Sequence, residues 1–149
     1  MATTAIWKVK GNLGQVVNYA ANPDKTTLTV EDLQGLRDVM DYATQDYKTE
    51  EQRYVSGINC APEIARDQMM MVKRQFGKEG GIIAFHGYQS FAPGEVTPEQ
   101  AHEIGVELAQ RLWGDRFQVV VATHLDKEHI HNHFVLNSVS FVDGKKYND

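Results

Sequence analysis

The sequence lacks the features that mark exported and membrane proteins. Cys60 is the only cysteine in 149 residues, so the chain has no internal disulfide and no cysteine-rich zinc site. The opening MATTAIWKVK places lysines among its apolar residues, and no run approaches the roughly 18 apolar residues of a membrane span. We therefore expect a protein of a reducing cytoplasm in which any metal is held by His and carboxylate side chains.

Positive charge is also scarce, with 15 Lys and Arg against 20 Asp and Glu and a net charge of −5. Proteins that hold nucleic acid mainly by neutralising phosphates are usually basic, so the composition argues mildly against tight nucleic-acid binding. The charge argument is weaker if the chain is only part of a longer protein. Residues 141–147 read as a strand, an Asp143-Gly144 turn and the start of a return strand that stops at Asp149. We therefore expect residues 1–149 to be one domain, the N-terminal part of a longer protein.

Hydrophobic periodicity predicts alternating strands and helices along the chain. Strands are expected near residues 5–9, 53–58, 81–86, 117–124 and 129–140. Helices are expected from Thr29, from Pro62 to Gly77, and from the capping residue Thr97 to Gly114. The expected buried stripe of the last helix consists of Ala101, Ile104, Leu108 and Leu112. This order predicts an α+β fold with a central, mainly antiparallel sheet and helices packed on one side.

Two segments of the N-terminal third repeat each other. VVNYAANPDKT at 16–26 and VMDYATQDYKT at 39–49 share Tyr-Ala followed by Lys-Thr at equal spacing. A single pair is too few for a repeat architecture and indicates a local duplication or chance. It leaves Tyr19 and Tyr42 as equivalent positions of the two copies.

Four of the six histidines fall within HLDKEHIHNH, residues 124–133. A strand from His129 places His131 and His133 on one face, because side chains alternate along a strand. If the preceding strand returns antiparallel through a turn at 127–128, His124 faces His131 and Asp126 faces His129. Three imidazoles then gather beside a carboxylate, which favours a divalent metal with open coordination positions. The alternatives are surface histidines, or a structural metal site completed by His129 or Asp126.

The segment HLDKEHIHNHFVLN resembles the catalytic signature of conjugative relaxases, the relaxase/mobilisation nuclease family of the HUH endonuclease superfamily. YQSFAPGEVTPEQAHEIG at 88–105 is similar to the family's Ser-Phe motif, and the Tyr19 segment with NPDKT is similar to its tyrosine motif. The family's histidines and following Asn correspond to His124, His131, His133 and Asn137. The sequence departs from the family at Asn132, where a hydrophobic residue is usual.

The resemblance implies a bacterial cytoplasmic nuclease that nicks one DNA strand at an origin of transfer, forms a tyrosine 5′-phosphate ester and rejoins the strand. Tyr19 is the favoured nucleophile and Tyr42 the alternative. A phenol of pKa about 10 is a poor nucleophile at neutral pH and the phosphodiester is anionic, so a divalent ion, Mg²⁺ or Mn²⁺ by preference, suits the reaction. Asp126, or His129 as an additional imidazole near the site, would help remove the phenolic proton.

The resemblance also implies DNA contacts. Ser90 would bond a phosphate and Phe91 would stack on an unpaired base, the alternative being a buried Phe beside a capping Ser. Further DNA contacts are expected at Lys25, Thr26 and Asn137. His86, at the end of a predicted central strand, is interpreted as a core histidine in preference to a site residue.

The resemblance implies single-stranded DNA as the substrate, with accessory relaxosome proteins and coupling and secretion machinery as partners of the longer protein. Two other functions fit the same residues. A rolling-circle replication initiator or transposase shares the chemistry, although the Ser-Phe motif and NPDKT favour a relaxase. A non-catalytic, metal-stabilised DNA-binding module is the other alternative.

Overall fold

The computed structural model describes residues 3–9, 40, 41, 43, 54–126 and 129–148, with Asp126 described by its backbone only. The elements follow in chain order as β1 (Thr3–Val9), β2 (Val55–Ile58), a 3₁₀ turn (Pro62–Ile64), α1 (Ala65–Gln75), β3 (Ala84–Ser90), α2 (Pro98–Trp113), β4 (Val119–Asp126) and β5 (His129–Asn137). Met40, Asp41 and Ala43 are helical, and the rest of the helix predicted from Thr29 lies outside the described residues. None of the helices in the described ranges is long and apolar enough to cross a membrane.

The five strands form one sheet in the order β1-β3-β5-β4-β2, and every neighbouring pair is antiparallel. The predicted α+β fold with an antiparallel sheet is confirmed. β5 lies at the centre, and its residues alternate between two covered faces. This central position explains why the strand is buried from Asn132 onward, whatever the polarity of its side chains.

The helices cover both faces of the sheet, so the expectation of helices on one side is wrong. On one face, the Asn137 amide donates to the carbonyl of Met69 in α1. On the other, the Asn132 amide donates to the carbonyl of Ala101 in α2. The alternation of polar and apolar residues in β5 did not reveal that both faces are covered. Each face carries a polar residue, and the hydrogen bonds of that residue are made by a helix.

Helix α2 begins as its sequence predicts and buries a different stripe. Thr97 and Gln100 form the predicted capping box. The buried residues of α2 are Ala101, Gly105, Ala109 and Trp113. Ile104 and Leu112 are instead 39% and 58% exposed. The stripe shifts because small side chains let the helix backbone approach the sheet: a Cβ on Gly105 would lie 2.5 Å from Nδ2 of Asn132.

Helix α1 packs much as the periodicity predicts. Ala65, Met69 and Val72 are buried, while the 3₁₀ turn at Pro62 delays the start of the α-helix to Ala65. The same face also buries Lys73, which is 0% exposed. Its ammonium group donates to Asn137 Oδ1 at 2.5 Å and to Ser138 Oγ at 2.8 Å.

Each strand differs from its predicted range by two or more residues at one or both ends, and β3 is shifted most. β3 starts at Ala84 and continues to Ser90, because it pairs on both sides, with β1 and with β5, along its whole length. Near the C-terminus, residues 141–143 form the turn itself, and the bridging residues are Val139 and Lys146. Gly144 has a φ of +72°, and a Cβ there would lie 2.4 Å from the Phe76 ring, so the turn requires glycine on both counts.

Replacing Gly105 with alanine should destabilise the domain. The added methyl group would displace the Asn132 amide from its buried hydrogen bonds, at a cost of about 1–3 kcal/mol that exceeds the gain in helix propensity. Urea denaturation of Gly105→Ala measures this cost. Glu103→Ala, on the exposed side of the same helix, is the control, and equal free energies of unfolding for the two variants would contradict the close contact.

Lys73 should make stability depend on pH. Burial, and secondarily the positive charge of Lys146, lowers the pKa of Lys73 to about 7. Unfolded lysine keeps its proton to about pH 10, so above pH 7 the unfolded state binds more protons and the free energy of unfolding rises, by at most about 1.4 kcal/mol per pH unit. The wild type should therefore gain stability relative to Lys73→Met between pH 7 and 9. A constant difference in urea denaturation across that range would show that the buried amine stays charged.

Candidate metal centre

The register of three neighbouring strands brings the predicted histidines together. Opposite pairs in β4 and β5 include His124 with His131 and Asp126 with His129, as the sequence predicts. On the other side of β5, Tyr88 and Ser90 of β3 lie opposite His133 and His131. Opposed residues point to the same face of a sheet, so one face presents all of these side chains except that of Asp126, which is not described.

The rings of His124, His131 and His133 form a compact group. Ring centroids are 4.0 Å apart for His124 and His133, 5.2 Å for His131 and His133, and 5.6 Å for His124 and His131. One ring nitrogen from each lies within 4.8 Å of the others. Imidazole nitrogens sit about 2.1 Å from a bound Zn²⁺ ion, so small side-chain rotations bring three such nitrogens onto one cation. The donor set fits a divalent first-row metal, and we refer to these three residues as the histidine triad.

A hydrogen bond sets the orientation of His124. Its Nε2 lies 2.6 Å from the carbonyl oxygen of Ala43, which only accepts hydrogen bonds. Nε2 therefore carries the proton, and in the neutral ring Nδ1 carries the lone pair. Metal-binding histidines in general use one nitrogen for the ion and the other for such a bond. His124 is also fully buried.

His86 supports His133 in the same manner. The two rings meet through His86 Nε2 and His133 Nδ1 at 2.8 Å. Burial lowers the pKa of His86, which favours its neutral form. Because His133 Nδ1 makes this bond, Nε2 is the nitrogen of His133 that would face a cation. His86 is buried and hydrogen-bonded, as expected of a core histidine, and its partner is a triad residue, so it also adjoins the site.

A cleft of about 250 Å³ opens beside the triad. The residues that line it are Trp7, His86, Tyr88, His131 and His133. Sequence reasoning missed Trp7 and Tyr88. The period of two from His86 identifies Tyr88 as sharing its face, but Trp7 follows only from the pairing of β1 with β3, which places it opposite His86.

Behind the triad, on the opposite face of the sheet, buried and half-buried polar side chains form a continuous hydrogen-bond network. Thr123 Oγ1 donates to Asn132 Oδ1 at 2.6 Å and so accepts from His102 Nδ1 at 2.8 Å. His102 Nε2, 2.6 Å from Ser56 Oγ, then accepts from that hydroxyl. Burial lowers the pKa of His102, which agrees with this neutral tautomer.

The same set of hydrogen bonds explains why a polar residue, Asn132, stands where the resemblance leads one to expect a hydrophobic residue. Its amide donates to Gln89 Oε1 and to the carbonyl of Ala101. The side chain is fully buried with each of its polar atoms bonded. A polar residue is tolerated between the two triad histidines because it faces α2, away from the triad.

Several predicted site residues are not tested by this geometry. Tyr19, Tyr42, Lys25 and Thr26 lie outside the described residues, and Asp126 has only its backbone described. His129 is exposed at the start of β5 and is not part of the close group of ring nitrogens within the described ranges.

The predicted DNA contacts have different outcomes. Ser90 is half-buried on the face of the triad, opposite His131, and its phosphate contact stays a prediction. Phe91 is 4% exposed, which matches the alternative of a buried ring and leaves no face for a base. Asn137 is fully buried, with its side chain bonded to Lys73, Met69 and Gln118. A DNA contact by Asn137 is therefore wrong: this residue joins α1 to the end of β5.

Comparison with known proteins identifies a family and several relatives that this chain resembles. The family model for relaxases, "MobA/VirD2-like, nuclease domain", matches residues 42–149. Two Staphylococcus aureus proteins named Protein rlx are 49% identical over 92 residues and 43% identical over 102 residues, covering 62% and 68% of this chain and 29% and 32% of those proteins. Group II intron-interrupted relaxase LtrB of Lactococcus lactis subsp. cremoris (strain MG1363) is 32% identical over 141 residues, 91% of this chain and 25% of LtrB.

The chain spans between a quarter and a third of the length of these relatives. The matched family range starts at Tyr42, contains the whole histidine triad and excludes Tyr19. Since the match covers most of the sequence, this chain belongs to the MobA/VirD2-like relaxase family.

Proposed function

We propose that this domain nicks one DNA strand at an origin of transfer and rejoins it through a covalent 5′-phosphotyrosine, in the mobilisation of a plasmid or integrative element. The observation that carries the proposal is the convergence of three imidazole nitrogens within 4.8 Å, inside the range that matches a relaxase nuclease domain. A hydrolytic nuclease would release the strand, whereas a tyrosine ester keeps the phosphate activated for closure.

The triad residues would hold a divalent cation, Mg²⁺ or Mn²⁺ by preference. Such an ion supplies positive charge to a non-bridging phosphate oxygen, which offsets the charge that develops as a phosphodiester is attacked. The protein's part is to fix the ligands beforehand. The carbonyl of Ala43 accepts a hydrogen bond from His124 Nε2, and His86 Nε2 is hydrogen-bonded to His133 Nδ1. Those two triad rings would therefore need little reorganisation on binding a cation.

The covalent step would use a tyrosine hydroxyl. The oxygen forms a bond to the scissile phosphorus and the bond from phosphorus to the 3′ oxygen breaks. The phenolic proton is transferred to a base, which then passes it to the leaving oxygen to give a 3′-hydroxyl. The reverse attack by a 3′-hydroxyl restores the strand. Tyr19 stays the favoured nucleophile on its motif, and Asp126 and His129 stay candidate bases.

Tyr42 merits an equal test. Ala43, the residue that follows it in the sequence, contacts His124.

Ser90, on the sheet face that carries the triad, is the described residue proposed to bond a backbone phosphate. We expect the longer protein to supply the contacts to accessory relaxosome proteins and to coupling and secretion machinery.

The covalent intermediate is the decisive test of the proposed function. With Mn²⁺ and labelled single strands tiled across the transfer origin of the element that carries the gene, we expect a protein–DNA adduct on a denaturing gel. Tyr19→Phe should abolish the adduct and Tyr42→Phe should not. Loss in Tyr42→Phe alone would reassign the nucleophile. Free cleaved DNA without any adduct would contradict the transesterification mechanism.

Metal affinity tests the triad independently of cleavage. Calorimetric titration of Mn²⁺ should show binding to the wild type and none to His124→Ala or His133→Ala. His86→Ala should weaken binding by about 10- to 100-fold, because His133 would lose its orienting bond. His129→Ala is the matched control and should bind normally. A loss in His129→Ala as large as in the triad variants would show that the ligand set is different.

A further inference from the structure

An exposed tryptophan lies at the edge of the sheet next to the triad. Trp7 belongs to the edge strand β1 and is 44% exposed, although tryptophan usually buries most of its large ring. Among the exposed large apolar side chains of the described residues, it is the only aromatic one. Core packing therefore does not explain why this position carries an indole.

The surroundings of Trp7 point to the triad. Its ring packs on His86 with centroids 4.8 Å apart, and His86 bonds to His133. Tyr88 lies edge-on to the indole at 6.0 Å. Trp7, Tyr88 and two triad histidines line the same cleft of about 250 Å³. A molecule held in this cleft would contact both the indole and the proposed metal ligands.

The substrate of the proposed reaction has a group that suits this cleft. Single-stranded DNA presents unpaired bases, which stack on aromatic side chains irrespective of sequence. The acidic composition leaves few cations to hold the backbone, so aromatic stacking gains importance. Phe91, the predicted stacking residue, is buried and has no exposed face on which a base could stack.

We propose that Trp7 stacks on a base of the single-stranded DNA next to the scissile phosphate, with Tyr88 as the side wall of the base site. The inference rests on the proposed function, because the neighbouring phosphate would be the one bound at the triad. It assigns a binding role to β1, which precedes the segment matched by the family model.

Trp7→Leu and Trp7→Phe separate stacking from bulk hydrophobicity. Binding of labelled 20-nucleotide single strands is followed by fluorescence anisotropy in EDTA, so that neither metal nor cleavage contributes. We expect roughly 5- to 100-fold weaker binding for Trp7→Leu and a smaller loss for Trp7→Phe, which keeps a ring. Leu112→Ala, which shortens an exposed apolar residue of α2, is the control and should bind like the wild type.

A set of strands, each lacking the base at a different position, identifies the stacked base. At one or two positions the abasic strand should bind wild type and Trp7→Leu equally, since there is no base for the indole to contact. DNA should also quench the emission of Trp7 in Trp113→Phe, in which the buried second tryptophan is removed. Melting temperatures within a few degrees of the wild type show that Trp7→Leu folds.

The outcomes distinguish the two proposals. If the wild type binds DNA and Trp7→Leu binds equally well, the base site is wrong and the proposed function stands. The same holds if Trp7→Leu changes the oligomeric state without changing DNA affinity, which would make the exposed indole a protein contact. If the wild type binds no single strand even when Mn²⁺ replaces EDTA, the proposed function itself fails.

Discussion

The pairing of β4 with β5 is the constraint on which the site depends. Successive side chains of a strand point to opposite faces, so a slip of one residue would turn His131 and His133 toward α2 and bring Asn132 to the metal face. The observed register places His124 opposite His131. Anything that fixes this register therefore contributes to metal binding without contacting the metal.

The hydrogen-bond network on the far face contributes to the same end. Thr123 and Asn132 lie opposite each other in the two strands and are hydrogen-bonded to each other. In a slipped register, these polar groups would lose their partners in a water-free environment, which is more costly than losing an apolar contact. Asn132, between two triad histidines, thus lacks the packing of a hydrophobic residue, but its hydrogen bonds favour one register over the others. Gly105 is part of this arrangement, since it leaves the space that the Asn132 amide occupies.

Sequence patterns predicted the features that depend on local order. The capping box of α2, the face of α1, the β4–β5 register and the grouping of the triad follow from spacing and side-chain alternation. The shifted stripe of α2 did not follow, because the hydrophobicity of Ile104 and Leu112 outweighs Gly105 in any periodicity. His86 and Trp7 depend on strand pairings across more than 40 residues of sequence, which a local pattern does not contain. Asn137 was misassigned because its position in a motif says nothing of its burial.

All three triad residues come from one hairpin whose strands are separated by only two residues, while the groups that orient them come from distant parts of the chain. Closing a short loop is fast, whereas long-range pairing is slow. The hairpin alone therefore brings the three ring donors near one another, and a metal that bound it would stabilise the native register over a slipped one. The ring orientations depend in addition on β3 and on the backbone at Ala43.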